Sequence, residues 1–484
     1  MQIVTVLNIF SKILVGFALL MLLPVCVGLY FDNPVKPFLR AIAETLIVAL
    51  FLWGMTQKFV RELRPRDGLL LASLSWLILP IFGSLPLMYQ IQNLDFTRAY
   101  FEAASGLSST GASVLTGLDK LPEALHFWRG LLLWLGGMGI IVLYVAILPM
   151  LGVGGSQIVK AETPGPMKDS KLTPRIAYTA KALWLVYFGF TTFCGICYYL
   201  GGMNMIDAIV HAFSTMALGG FSTHDTGFAY WNSPMLESIA IVFMLISGIN
   251  YASHFQAIRS ASFSPYRWDP ETRWYFIVLF IAISFTSLYL WHTNVYKDFS
   301  TSLRFSLFNI VAMATTTGFA NTDFAAIWPV FIPIGMLLMA AFVSCSGSPG
   351  SGIKMIRAIV LFKQIKNELI RVVHPNAHVS IKLSGRVVDP RVVFSILTFF
   401  AVYILCILVG TLILSATGMN EVTAFSAIMA CFTNAAAGLN DVGPSGNYAH
   451  LTAFQTWVLS LMMLLGRLEI FTLLAIITPA FWRK

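Results

Sequence analysis

Residues 314–324 read ATTTGFANTDF: three threonines and a glycine, then small and acidic side chains, set between a short apolar stretch and a long one. The pattern recurs. STGAS (109–113), LGGFSTHD (218–225), TTGFANTD (316–323) and NAAAGLND (434–441) each follow an apolar segment too short to cross a bilayer and precede a longer one. Such self-similarity marks four copies of one structural unit. Aligning Gly111, Gly220 and Gly318 puts a small residue, Ser105, Ser214 or Ala312, six positions before each, and Asp225 and Asp323 five after the second and third. In the fourth copy, Ala436 at the glycine position keeps both offsets, with Ala430 before it and Asp441 after it; Gly438 restores the glycine and loses both. The Ala436 register is preferred. In the first copy Thr116 stands where the aspartates fall.

This arrangement suits the coordination of a dehydrated cation. A short helix entering from outside directs its C-terminal, partially negative end at a central axis. The chain then returns in extended form, where backbone carbonyls replace the ion's hydration shell and Thr and Ser hydroxyls add oxygens. Glycine serves where carbonyls must face inward at backbone angles closed to other residues. Four copies supply four walls, and Asp225, Asp323 and Asp441 at the mouth concentrate cations. A single copy reads equally well as an ordinary Gly-rich loop, but four in phase do not.

The composition agrees with a membrane setting. Of 484 residues, 57% are hydrophobic and 11% charged, and mean hydropathy is +0.77. Soluble domains carry roughly 25% charged residues, so a soluble enzyme of this length is excluded, as is a disordered chain. Spans of about 20 apolar residues are expected near 8–30, 38–57, 69–90, 127–150, 180–200, 235–258, 274–292, 328–345, 392–416 and 454–480. Four shorter stretches, near 98–111, 205–220, 303–318 and 421–437, read as re-entrant segments. With a cytoplasmic N-terminus, 22 of the 31 basic residues fall inside and 7 outside, the bias expected of cytoplasmic loops. The net charge of +9 therefore faces anionic lipid and a cytoplasmic partner; nucleic acid is not expected. No secretory cleavage pattern follows the first apolar run, so that segment should remain as an anchor. Cys194 and Cys197 form a C-x-x-C inside an apolar stretch and read as small helix side chains. His211, His224 and His254 lack metal-ligand spacing.

Two features bear on the path below the four strands. SCSGSPGSGIK (344–354) places Gly347, Gly350 and Gly352 around Ser348 and Pro349, which no helix crosses unbroken; a flexible plug across a pore is the reading. A phosphate-binding loop is excluded because Ile353 separates Gly352 from Lys354 and Met355 follows. Arg467 lies inside an apolar span and must face protein or water. Glu469, two positions on, is a poor partner on its own helix, which leaves Arg467 to face the pore or hold the loop by its carbonyls. Snorkelling to the interface is the competing reading.

On SSTGASVLTG (108–117), ALGGFSTHD (217–225), ATTTGFANTDF (314–324) and GRLEIFTLLAIITPAFWR (466–483), the chain resembles the Trk/Ktr/HKT superfamily of potassium transporters over essentially its whole length, bacterial Trk-type membrane subunits in particular. The resemblance implies an all-α integral membrane protein of four tandem membrane–pore loop–membrane repeats in pseudo-fourfold order. Units would be 1–67 (an N-terminal helix pair), 68–175, 176–272, 273–390 with an intramembrane gate, and 391–484. It implies filter backbone at Thr110, Gly111, Gly219, Gly220, Thr317, Gly318, Ala435 and Ala436, a gate at 347–352, and a pore-facing Arg467. The fourth strand departs from the family pattern, with Ala436 where glycine is usual. Implied further are K+ as transported ion, no organic cofactor, a homodimer, and a cytoplasmic nucleotide-binding regulatory subunit. The setting would be the bacterial inner membrane with both termini cytoplasmic. The alternative is a sodium- or proton-coupled cation symporter. A membrane enzyme is not expected, because no acid, base or nucleophile set converges.

Overall fold

In a computed structural model of the chain, residues 2–58, 65–142, 172–377, 379–383 and 385–483 are described. They are mainly helical; the one ladder among them is a hairpin pairing Lys382 with Val387 and Leu383 with Arg386. Six helices are long and apolar enough to cross a membrane: Ile3–Tyr30, Lys36–Thr56, Arg66–Gln90, Ala180–Leu200, Pro270–His292 and Pro390–Ala416. Large apolar side chains such as Phe280 and Leu412 stand about 70% exposed on them, a surface that water would not tolerate and lipid does. The chain is a multi-pass, all-α membrane protein.

Between these helices lie four short ones, Phe96–Leu107, Met205–Ala217, Phe299–Ala314 and Glu421–Phe432, of 12, 13, 16 and 12 residues. At 1.5 Å per residue none spans a bilayer core of about 30 Å. Their last turns are wholly buried. They coincide with the stretches expected to be re-entrant.

The structure differs from the expected spans in three places. The stretch 235–258 is two helices, Pro234–Ser247 and Tyr251–Ser260, bent by 93°, and 454–480 is likewise Ala453–Arg467 and Phe471–Ile477, bent by 113°. The stretch 328–345 holds a helix only over Phe331–Phe342. The cause in the first case is Gly248 followed by Asn250, whose side chain accepts from Ala252 N at 2.9 Å and starts a new helix. In the second, Glu469 and Ile470 both take φ of 54°, which ends the α-helical ladder. The helix Glu123–Val142 covers most of the stretch 127–150. The last part of that stretch, and most of residues 152–181, which hold five lysines and arginines, lie outside the described residues.

Candidate functional site

Each short helix ends the same way. Ser109, Leu218, Thr316 and Asn434 are left-handed, with φ of 52°, 54°, 66° and 54°. The next N–H then reaches back to the carbonyl five residues earlier: Thr110 to Ser105 (2.8 Å), Gly219 to Ser214 (3.0 Å), Thr317 to Ala312 (2.8 Å) and Ala435 to Ala430 (2.8 Å). This is the Schellman cap. It accounts for the spacing of six: the carbonyl of the residue six positions before the glycine is the acceptor that stops the helix.

One residue on, the chain turns left-handed again, at Gly111 (φ 81°), Gly220 (70°), Gly318 (77°) and Ala436 (61°). A left-handed residue on either side of Thr110, Gly219, Thr317 and Ala435 turns the carbonyls of each strand toward a common side. Gly438 is not left-handed; its N–H bonds the Val442 carbonyl at 2.8 Å, and a Cβ there would press on the Val442 side chain. The four strands close into a ring. A Cβ on Gly111 would overlap the Gly219 carbonyl oxygen, one on Gly220 that of Thr317, and one on Gly318 that of Ala435. From the fourth strand, Asn434 Nδ2 donates to Thr110 Oγ1 of the first at 2.7 Å. Gly111, Gly220, Gly318 and Ala436 all line one cavity open to the outer loops.

The hydroxyls expected to add oxygens are engaged sideways. Thr110 Oγ1 pairs with Ser108 Oγ at 2.6 Å and Thr317 Oγ1 with Thr315 Oγ1 at 2.8 Å, so backbone carbonyls are the ring's available ligands. Of the three aspartates placed at the mouth, Asp225 lines the cavity and accepts from Leu118 N at 3.1 Å. Asp323 caps the one-turn helix Phe324–Ile327 through Ala326 N. Asp441 is exposed in the turn Asn440–Val442. Neither of these two lines the cavity, so the expected trio does not assemble there.

Sequence reasoning missed a brace behind every strand. Nine residues before the left-handed glycine stand Glu102, His211 and Asn309, each reaching the strand just past the ring. Glu102 accepts from Ser113 Oγ at 3.0 Å, His211 Nε2 bonds Ser222 Oγ at 3.0 Å, and Asn309 Nδ2 donates to Asn321 Oδ1 at 2.7 Å. In the fourth repeat Ser426, one position earlier, accepts from Leu439 N at 3.0 Å. The signal was a shared offset, hidden because the residue type changes each time. Glu102 is also paired at 2.9 Å with Arg129. Arg129, 1% exposed, donates on to the Ser222 carbonyl at 3.1 Å. His224 bridges the outer loops: it bonds Asp119 through Nδ1 and Asp207 through Nε2, the latter at 3.2 Å, and stacks flat on Tyr230 at 3.5 Å. Burial opposes its charged form, but the bonds to Asp207 and Asp119 prevail and hold its pKa above the ordinary 6.5.

Below the ring, residues 343–354 form a fully buried irregular segment that holds Gly347, Ser348, Pro349, Gly350 and Gly352. Ser344 Oγ donates to the Thr315 carbonyl at 3.4 Å, and Ser351 N to Thr316 Oγ1 at 3.3 Å, so the loop lies directly beneath the third strand. Its ends are clasped by one carboxylate: Glu271 Oε1 accepts from Ser346 N at 2.9 Å and Ile356 N at 3.0 Å. Arg467, 1% exposed, donates to the Pro349 carbonyl at 2.5 Å and Ser351 Oγ at 3.1 Å, and upward to Ser109 Oγ at 3.1 Å and the Gly136 carbonyl at 2.9 Å. It sits between ring and loop rather than at the interface. Glu469 pairs across helices with Arg357 at 2.6 Å. The bend at 248–250 docks on the same loop, Cys345 N to the Gly248 carbonyl at 3.2 Å and Tyr251 N to the Gly347 carbonyl at 3.1 Å. Three broken elements therefore meet at one buried loop. Among the described residues no cluster of three or more His, Cys, Asp or Glu could hold a metal ion.

Residues 35–484 match the TrkH family, described as cation transport proteins. The Trk system potassium uptake protein TrkH of Escherichia coli (strain K12) is 44% identical over 480 residues, covering 99% of each chain. The Trk system potassium uptake protein TrkG of the same strain is 35% identical over 470 residues, covering 97% of this chain and 96% of that one. The crystal structure of the potassium transporter TrkH from Vibrio parahaemolyticus superposes with a TM-score of 0.93 at 40% identity, covering all of both chains. This is a transport family rather than an enzyme family, and the chain belongs to it: a member of the TrkH family of cation transport proteins.

Proposed function

We propose that the protein takes up potassium across the bacterial inner membrane, with both termini cytoplasmic. The four-strand ring acts as a carbonyl-lined selectivity filter and the 347–352 loop as the gate. The units are those expected from the repeats: 1–67, 68–175, 176–272, 273–390 and 391–484. The observation that carries the reading is the ring: four strands with left-handed residues in one phase, each glycine pressed against the carbonyl of the next strand, around one cavity. Such carbonyls can replace an ion's water shell. Thr110, Gly111, Gly219, Gly220, Thr317, Gly318, Ala435 and Ala436 are the proposed filter residues, and K+ is the cargo. Arg467 holds the gate shut from the pore side. The working form is a homodimer, with a cytoplasmic nucleotide-binding subunit pulling on the gate through the basic surface that follows it. The named potassium function of the E. coli and Vibrio relatives supports the choice of ion.

Rubidium and sodium uptake into proteoliposomes under an inside-negative potential tests this, with and without Gly318→Ser. A side chain at Gly318 meets the Ala435 carbonyl, so rubidium uptake should fall at least about tenfold, or the pore should admit sodium. Uptake indifferent to Gly318, with the regulatory subunit present, would overturn the filter reading. Uptake that requires a sodium or proton gradient would instead favour the coupled symporter.

A further inference from the structure

Lys354 ends the gate loop with its side chain folded back beneath it. Its backbone φ is 75°, an angle that favours glycine, and the residue is 5% exposed. Its Nζ donates to the Ser348 carbonyl at 3.3 Å and to the Gly350 carbonyl. Among the described residues no carboxylate lies within ion-pair distance of it. Glu469 and Glu271 act on it only across a longer distance; a buried ammonium with no carboxylate in contact is expensive, and an apolar side chain of that length would be cheaper. The intervening carbonyl, Pro349, is taken by Arg467 at 2.5 Å. Three consecutive carbonyls below the ring are thus held by two cationic side chains.

Carbonyl oxygens that solvate a compact monovalent cation are the same chemistry that dehydrates potassium in a filter. The Lys ammonium is a compact point charge, unlike the planar guanidinium, and resembles a bare potassium ion in size and charge. We propose that the Ser348 and Gly350 carbonyls are a monovalent-cation site beneath the filter, which the Lys354 ammonium occupies as a tethered competitor of the permeant ion. The proposal rests on the potassium-uptake reading. An ion leaving the ring displaces Lys354, the loop loses its internal tie, and the arriving cation favours opening. Because the competitor is tethered, its effective concentration is high and constant. Removing it must lower the ion concentration needed for half-maximal flux.

The test is rubidium uptake against rubidium concentration for the wild type, Lys354→Met, Lys354→Gln and Lys354→Arg, each reconstituted with the regulatory subunit. Loss of the competitor should lower the half-saturating concentration by about tenfold in the Met and Gln variants, with the rubidium-to-sodium ratio unchanged. Lys354→Arg keeps the charge but not the compact head and should shift the same way. Rubidium-soaked crystals of Lys354→Met should show an anomalous peak against the Ser348 and Gly350 carbonyls that the wild type lacks. Half-saturation unchanged in both neutral variants would overturn the proposal. So would an arginine variant matching the wild type, which would mean charge repulsion alone, or a Met variant with no peak. Gly318→Ser run alongside separates the two readings. If it abolishes uptake while the Lys354 variants behave as wild type, only the tethered site is wrong; if it changes nothing, the filter reading is wrong.

Discussion

Ala436 is the one residue with a side chain at the second left-handed position of the four strands. Its φ of 61° costs an L-residue roughly 1–2 kcal/mol, while glycine at the same place would lose about 0.5–1 kcal/mol more backbone entropy on folding. The two nearly cancel, so Ala436→Gly should leave thermal stability within about 1 kcal/mol of wild type. Its effect should appear in selectivity. The Ala436 carbonyl is pinned by Tyr448 Oη at 2.9 Å, and the Ala436 Cβ stands 2.8 Å from the place a Cβ on Gly318 would take. Removing that methyl group lets the fourth strand adopt the geometry of the other three. Rubidium-over-sodium uptake should rise several-fold; an unchanged ratio would mean that Ala436 already serves as well as glycine. His224 makes a separate residue-scale prediction. Its folded pKa is raised above 6.5 by Asp207 and Asp119. The stabilisation is therefore fully present below 6.5 and lost as pH rises through the folded value. Melting temperature should fall as pH rises above 6.5, and His224→Gln should flatten that part of the profile. A wild-type melting profile already flat there would remove the bridge from the account.

At the scale of elements, the decisive parts are the breaks. The loop at 344–354 was legible because Pro349 and three glycines cannot hide in a helix. The bends at 248–250 and 468–470 were not. Hydropathy averages across them, the first carries a single Gly248, and the second is made by Glu469 and Ile470 in angles that neither residue type advertises. The four short helices were legible from length; the offset of six was visible as a recurring spacing, but its role as the helix cap is supplied by the hydrogen bonds of the structure. Glu271 was invisible for the opposite reason: nothing repeats it. It begins the helix Pro270–His292 and joins the two ends of the 344–354 loop to the segment before it. A hydrogen bond to a charged group contributes about 1.5–3 kcal/mol, so losing the two amide bonds should shift the loop strongly toward release. Glu271→Ala should raise rubidium flux without the regulatory subunit by at least about tenfold, with selectivity unaltered, and Glu271→Gln should fall between. Basal flux equal to wild type in both would mean that the clasp only shapes the loop.

For the whole molecule the open matter is whether the ion moves down its own electrochemical gradient or is driven by another. Coupling usually calls for an ionisable group in the path that binds and releases the second ion. The internal carboxylates here are engaged: Glu102 with Arg129, Glu237 with Arg304 and Glu469 with Arg357, at 2.9, 2.7 and 2.6 Å, and Glu271 with two loop amides. Each ties elements together, and releasing one would disturb the ring or the plug. That arrangement favours passive flow through the ring with the plug deciding when. The energetics make the distinction measurable. One elementary charge gains about 2.3 kcal/mol per 100 mV, which at 1.4 kcal/mol per factor of ten corresponds to roughly fortyfold accumulation. A symporter moving one further cation with each rubidium would work against the square of that limit, roughly two-thousandfold. Proteoliposomes with equal sodium and equal pH on both sides, held at 100 mV inside-negative, should therefore fill to a rubidium ratio near forty and stop. A ratio passing well beyond it, in vesicles shown to hold their potential, would require a second ion, and one of the paired carboxylates would then have to open during transport.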